Sequence, residues 1–177
     1  MALTKVRCGT IAPITYSLGG GATGASISWD VVPSGITFDS VTATLSGTAP
    51  TVSTSTTYTY ILTSTGGSCP DTATGTLTVN PDGVITHDGT QGTLDQTHCE
   101  GEAIDPIVFS LSGGATGATA SGLPAGLLFD PVALTISGTP TDDITSVATY
   151  TYTVTTTGSG CAPDDITGTI TINPLDK

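Results

Sequence analysis

Thr167-Gly168-Thr169-Ile170-Thr171-Ile172-Asn173-Pro174 alternates polar and aliphatic residues with a period of two. Nearly the same words stand earlier in the chain as Thr74-Gly75-Thr76-Leu77-Thr78-Val79-Asn80-Pro81. A period of two puts Leu77, Val79, Ile170 and Ile172 on one face of a strand, with threonines on the other. Just upstream, Tyr150-Thr151-Tyr152-Thr153-Val154-Thr155 has the same alternation, and its earlier counterpart is Tyr58-Thr59-Tyr60-Ile61-Leu62-Thr63. Ile14-Thr15-Tyr16-Ser17-Leu18 with Gly20-Gly21-Ala22-Thr23-Gly24-Ala25 returns as Ile107-Val108-Phe109-Ser110-Leu111 with Gly113-Gly114-Ala115-Thr116-Gly117-Ala118. The chain is therefore two copies of a unit of roughly 91 residues, and each copy must bury its own apolar face.

Between these segments lie Pro33-Ser34-Gly35, Ser46-Gly47, Pro81-Asp82-Gly83 and Pro124-Ala125-Gly126, all turn-forming combinations. No stretch carries a helical period. Short strands, frequent turns and a unit near 90 residues predict an all-β chain of two immunoglobulin-like sandwiches in an end-to-end rod. The expected units are residues 1–82 and 83–177. Val84-Ile85-Thr86 reads as the first strand of the second copy. Matching Leu94 to Leu3 leaves the first copy without this stretch, so either the chain is cut from a longer array or another chain fills the edge.

Of 177 residues, 15 are acidic and 3 are Lys or Arg, for a formal charge of −12. Nucleic-acid binding, which depends on clustered cations, is excluded on that count. Only 10% of residues are charged, so threonine and serine must supply the polar surface. No apolar run is long enough to insert into a membrane, and Met1-Ala2-Leu3-Thr4-Lys5 has no signal-type apolar core.

Four cysteines allow three pairings, and the repeat selects Cys8 with Cys69 and Cys99 with Cys161, each within its unit. Such bridges imply an oxidising, extracellular setting. The competing readings are a zinc site, which lacks the usual Cys/His spacing, and buried free thiols.

Candidate chemistry is sparse. Gly19-Gly20-Gly21-Ala22-Thr23-Gly24 fits G-x-G-x-x-G, yet no helix follows to aim its amides at a phosphate, so it reads as turn backbone. His87 and His98 have no partners in the first copy and form no expected catalytic pair. The chain is read as no enzyme, with no required cofactor. Asp82, Asp88, Asp142, Asp143, Asp164 and Asp165 offer oxygen ligands for calcium, against the alternative of solvated loop charge. Trp29, in a two-residue insertion, either stacks on a sugar or packs at the sandwich end.

Ser121-Gly122-Leu123-Pro124-Ala125-Gly126-Leu127-Leu128-Phe129-Asp130, followed by Ile136-Ser137-Gly138-Thr139-Pro140-Thr141, resembles the immunoglobulin-like repeat of bacterial surface proteins. With Cys99-Glu100-Gly101 and the Tyr-Thr-Tyr strand, it is similar to the tandem repeats of long Bacteroidetes adhesins, including the gliding adhesins exported by the type IX system. The resemblance implies a cell-surface stalk whose partners are neighbouring repeats of the same or an adjacent chain, with surface glycans as the alternative ligand and strand-donating polymerisation as a third reading. It also implies O-glycosylation at Asp39-Ser40-Val41 and Asp71-Thr72-Ala73, on Ser40 and Thr72.

Overall fold

The computed structural model describes residues 3–175, and every regular element among them is a β-strand. Two compact units divide the chain, Met1–Asp82 and Gly83–Lys177.

The first unit contains β1 (Leu3–Arg7), β2 (Thr10–Thr15), β3 (Gly24–Trp29), β4 (Ile36–Asp39), β5 (Thr44–Thr48), β6 (Thr56–Thr65) and β7 (Thr72–Val79). They form a four-stranded sheet in the order β1-β7-β6-β3 and a three-stranded sheet β2-β5-β4. The second unit contains β8 (Gly83–His87), β9 (Gln96–Cys99), β10 (Ile107–Gly113), β11 (Gly117–Ser121), β12 (Leu127–Asp130), β13 (Thr135–Gly138), β14 (Ala148–Thr157) and β15 (Asp165–Asn173). Its sheets run β11-β14-β15-β9 and β12-β13-β10-β8. The two units match strand for strand from β1/β9 to β7/β15, and β8 is the extra member.

The alternation read from the sequence fixes the core. Leu77, Ile170 and Ile172 are fully buried and Val79 nearly so. Tyr60 and Tyr152, on the central strands β6 and β14, are also fully buried. Each tyrosine lies directly opposite a glycine on the neighbouring strand, Tyr60 across from Gly75 and Tyr152 across from Gly168. A Cβ on Gly75 would sit 2.3 Å from the Tyr60 ring, and one on Gly168 would sit 2.4 Å from both the Tyr152 hydroxyl and the Leu94 carbonyl. Each ring is thus laid flat over the bare backbone of its neighbour. The Tyr152 hydroxyl donates to the Leu94 carbonyl at 2.9 Å, and burial pushes its pKa up to about 12. In the first unit the Tyr60 and Tyr16 hydroxyls bond each other, and burial raises the Tyr16 pKa.

The turns joining β4 to β5 and β12 to β13 are built alike. Asp39 Oδ1 accepts the N–H groups of Val41 and Thr42 at 2.8 and 3.0 Å, and Asp130 Oδ1 accepts those of Val132 and Ala133 at the same distances. These bonds hold both carboxyls below the ordinary aspartate value. The turns end in left-handed residues, Ala43 and Leu134. Gly47 and Gly138 follow within the Ser-Gly-Thr words, at φ +121° and +131°. A Cβ there would lie 2.1 and 2.3 Å from the carbonyls of Gly35 and Gly126.

The within-repeat cystines expected from the sequence are not formed. Cys69 and Cys99 are free, exposed thiols, whereas Cys8 and Cys161 are disulfide-bonded. The reason is the parallel pairing of the first long-sheet strand with the last. Arg7 stands opposite Val79, and Cys99 opposite Asn173, at the C-terminal ends of β7 and β15. Cys69 and Cys161 precede the N-terminal ends of those strands. The length of such a strand, about 3.3 Å per residue and so roughly 25 Å, separates the two cysteines of a repeat. A cystine needs Cα atoms within about 7 Å.

Three measurements test this architecture. Thiol titration of the native chain is expected to find two reactive cysteines, mapping to Cys69 and Cys99; their modification only after reduction would refute the assignment. Gly168→Ala forces a methyl into the Tyr152 ring and the Leu94 carbonyl, and is expected to cost about 1–3 kcal/mol in denaturant unfolding of the second unit. Because the Asp39 and Asp130 pKa values are depressed in the fold, their stabilisation is complete above the ordinary aspartate range and is lost as pH falls through the lower folded values. Unfolding midpoints should therefore drop below about pH 4, and the Asp39→Asn/Asp130→Asn variant, which keeps both acceptors, should lose part of that dependence.

Candidate functional site

The residues singled out by sequence do not converge. His87 offers its Nε2 to the Gly92 carbonyl at 2.8 Å and rests its ring near Phe109. His98 Nε2 meets Gln96 Oε1 at 2.8 Å. Gln96 is buried, donating to the carbonyls of Thr93 and Asp105 and accepting the Asp105 N–H. Both imidazoles therefore hold the loops around β9 in place, and neither faces a nucleophile. Gln96 gave no sequence signal, because a lone glutamine among threonines looks like surface.

The acidic residues proposed as calcium ligands are dispersed. Among the described residues, no three His, Cys, Asp or Glu side chains are grouped to hold a metal. Asp164 Oδ2 accepts the Ile85 N–H at 3.1 Å, so it fastens β8. Asp88 accepts the Thr90 hydroxyl at 3.0 Å. Asp142 bonds the Tyr150 hydroxyl, which raises that tyrosine's pKa. Asp82, Asp143 and Asp165 are exposed. Asp164, Asp88 and Asp142 thus make local contacts to backbone and hydroxyl groups, and the carboxylates are not grouped as one ligand set among the described residues.

Trp29 ends β3, half-buried, with its ring 4.8 Å from that of Tyr60. It packs against the core of the first unit. Asp30 beside it accepts the N–H groups of Val31 and Thr59 at 2.7 and 2.9 Å, which lowers its pKa. Val31 and Val32 beyond it are exposed. The tryptophan is thus a lid on the buried tyrosine, with only part of its edge presented to solvent.

The outward sheet faces carry hydroxyls paired across strands. Thr57 meets Thr78 at 2.9 Å and Thr149 meets Thr171 at 3.0 Å, at equivalent positions of the two units. Thr10 with Thr48, Thr15 with Thr44 and Thr86 with Ser110 repeat the arrangement. Ser40 and Thr72, the predicted glycosylation positions, are both exposed.

A cavity of about 450 Å³ opens in the first unit beside Tyr16, Leu18, Ala25, Leu62, Asp71 and Thr72. Its lining is apolar at the base and carries a carboxylate at the rim. The sequence marked it only as the stretch that the first copy lacks relative to Val84-Ile85-Thr86.

Comparison with known proteins bears on the fold and the family. The chain is similar in fold to a protocadherin gammaB7 EC3–6 cis-dimer, with a TM-score of 0.53 at 16% identity over 99% of this chain and 46% of that one. It is likewise similar to the human desmocollin-1 ectodomain, with a TM-score of 0.52 at 12% identity over 99% and 41%. The chain thus spans under half the length of these structures. No curated protein matches its sequence. No helix among the described residues is long and apolar enough to cross a membrane. The family model for the putative Ig domain matches residues 8–80 and 88–173. With both repeats covered, the chain belongs to the putative Ig domain family, He_PIG.

Proposed function

We propose that this chain is a stalk segment of an extracellular bacterial adhesin, of the long Bacteroidetes gliding-adhesin type, which holds a distal binding region away from the cell. The observation that carries the reading is the repetition itself: one sandwich design occurs twice in series, from the buried tyrosine on glycine to the aspartate turns. A reaction centre has no need of that duplication, whereas a spacer gains length from it. Long antiparallel ladders resist extension because many backbone hydrogen bonds must break together. In each unit the longest pairing joins the last two strands, β6 with β7 and β14 with β15. The parallel pairs β1 with β7 and β9 with β15 secure the other edge of that sheet.

The hydroxyl-covered surface suits an extracellular stalk, since it is hydrated without many cleavable lysines and arginines. Ser40 and Thr72 are exposed and are proposed to carry O-linked sugar in material from the native source. Intact-mass analysis should show added hexose mass that disappears in Ser40→Ala/Thr72→Ala.

Two experiments test the stalk reading. Single-molecule extension of the reduced chain between inert handles is expected to show two unfolding events of similar contour length. A glycan array is expected to show no binding that Trp29→Ala abolishes. Saturable, Trp29-dependent glycan binding would replace the stalk with a recognition module.

A further inference from the structure

The two units differ most where β8 lies. In the second unit β8 runs antiparallel to β10, with Ile85 opposite Leu111 and Val84 opposite Ser112. Ile85 is 5% exposed and belongs to the core with Phe109, Ala118 and Val154. Its N–H is received by Asp164 Oδ2 at 3.1 Å, and the Gly83 N–H by the Ala162 carbonyl at 3.3 Å. Gly83 is also closely fitted, since a Cβ there would lie 2.8 Å from Thr156 Oγ1.

The first unit has the same seat. Tyr16 donates its N–H to the Ala43 carbonyl at 3.0 Å as Phe109 does to Leu134 at 2.9 Å, so Tyr16–Gly20 is the counterpart of Phe109–Gly113. Ser64 donates to the Asp71 carbonyl and receives the Asp71 N–H on its hydroxyl, as Thr156 does with Asp164. Asp71 is therefore the equivalent of Asp164, and Leu62, Ala25 and Leu18 stand for Val154, Ala118 and Leu111. At this place the first unit has the 450 Å³ cavity. Its sheet stops at β2, and no described strand pairs with Tyr16–Gly20. β2 accordingly ends at Thr15, whereas β10, which has a partner, continues to Gly113.

We propose that the first unit is a strand acceptor, whose Tyr16–Gly20 edge and adjoining cavity bind an extended segment of another repeat with the chemistry of Gly83–His87. The segment adds antiparallel to the edge. It places a glycine against Ser64, a β-branched aliphatic side chain two residues later in the cavity, and that residue's N–H on the Asp71 carboxylate. The occupant is read from the second unit, where the same groove closes over such a strand. This goes beyond the stalk reading and does not depend on it: a unit of any function with this groove would bind the strand.

The test uses the full chain. In one form the sequence Gly83–Thr93 is placed ahead of Leu3, reproducing the spacing by which β8 leads into β9. In a second form the inserted isoleucine is replaced by aspartate, and in a third the insert is combined with Asp71→Ala. Hydrogen exchange at Ser17 and Gly19, whose counterparts Ser110 and Ser112 face β8, is expected to slow by ~10-fold or more in the first form relative to the unextended chain, because a paired edge opens only with its strand. The aspartate insert should give no slowing, and Asp71→Ala should give less. The peptide Asp-Gly-Val-Ile-Thr-His-Asp added to the unextended chain should shift the same amide resonances saturably. Equal exchange rates in the first and second forms would overturn the proposal. So would concentration-dependent dimerisation of the unextended chain that protects these amides and resists the peptide, since the groove would then belong to a second intact copy.

Discussion

Burying a tyrosine against a glycine on the adjacent strand is the constraint around which each unit is arranged. A chain with 5% aromatic residues has few large side chains with which to fill two cores. Tyr60 and Tyr152 supply that bulk, and each needs a flat floor. Gly75 and Gly168 provide it by leaving the backbone of the neighbouring strand bare. The hydroxyl at the far end of each ring must then be satisfied, since a buried unpaired hydroxyl costs several kcal/mol by transfer scales, and about 1–3 in proteins. The second unit uses the Leu94 carbonyl, which brings the segment before β9 onto the sheet. The first unit uses Tyr16, which ties the end of β2 to the opposite sheet. The two solutions to one polar problem account for much of the local difference between the repeats.

A second constraint follows from the scarcity of charge. With 10% charged residues, most exposed strand positions carry threonine, whose β-branched form suits a strand and whose hydroxyl suits water. Opposed threonines bond one another across strands, so the surface is internally satisfied. The acids are used sparingly and locally. Asp39 and Asp130 close turns, Asp95 receives both the N–H and the hydroxyl of Thr169 at 2.8 Å, and Asp164 fastens β8. A net charge of −12 gives the surface repulsion from other acidic polymers.

The sequence made the repeat, the strand faces and the class of fold readable, because a period of two and a duplicated text survive without three-dimensional information. Leu77, Val79, Ile170 and Ile172 are inward as their alternation requires. It did not make the cystines readable. Equal spacing between copies says that Cys8 is equivalent to Cys99 and Cys69 to Cys161, but equivalence carries no distance. Pairing β1 and β9 parallel to the closing strands sends the first cysteine of each repeat to the end opposite the second. Of the adjacent aspartates Asp164 and Asp165, the first lies just before β15 and accepts the Ile85 N–H, and the second opens that strand exposed. Trp29, for which the sequence left both a sugar contact and packing at the sandwich end, stands across from Tyr60 and covers it.

The family boundary and the folded boundary do not coincide, and the mismatch has a physical meaning. In the second copy the family match begins at residue 88, after β8 has ended at His87. Yet the core of that copy includes Ile85, and Asp164 spends a carboxylate oxygen on its backbone. The strand that completes the sandwich is thus the one preceding the repeat, begun three residues after β7 closes the unit before it. Moving β8 away would expose an aliphatic side chain and unpair five backbone positions of β10. In the first unit no described strand pairs with Tyr16–Gly20, and a cavity lies where the counterpart has an isoleucine.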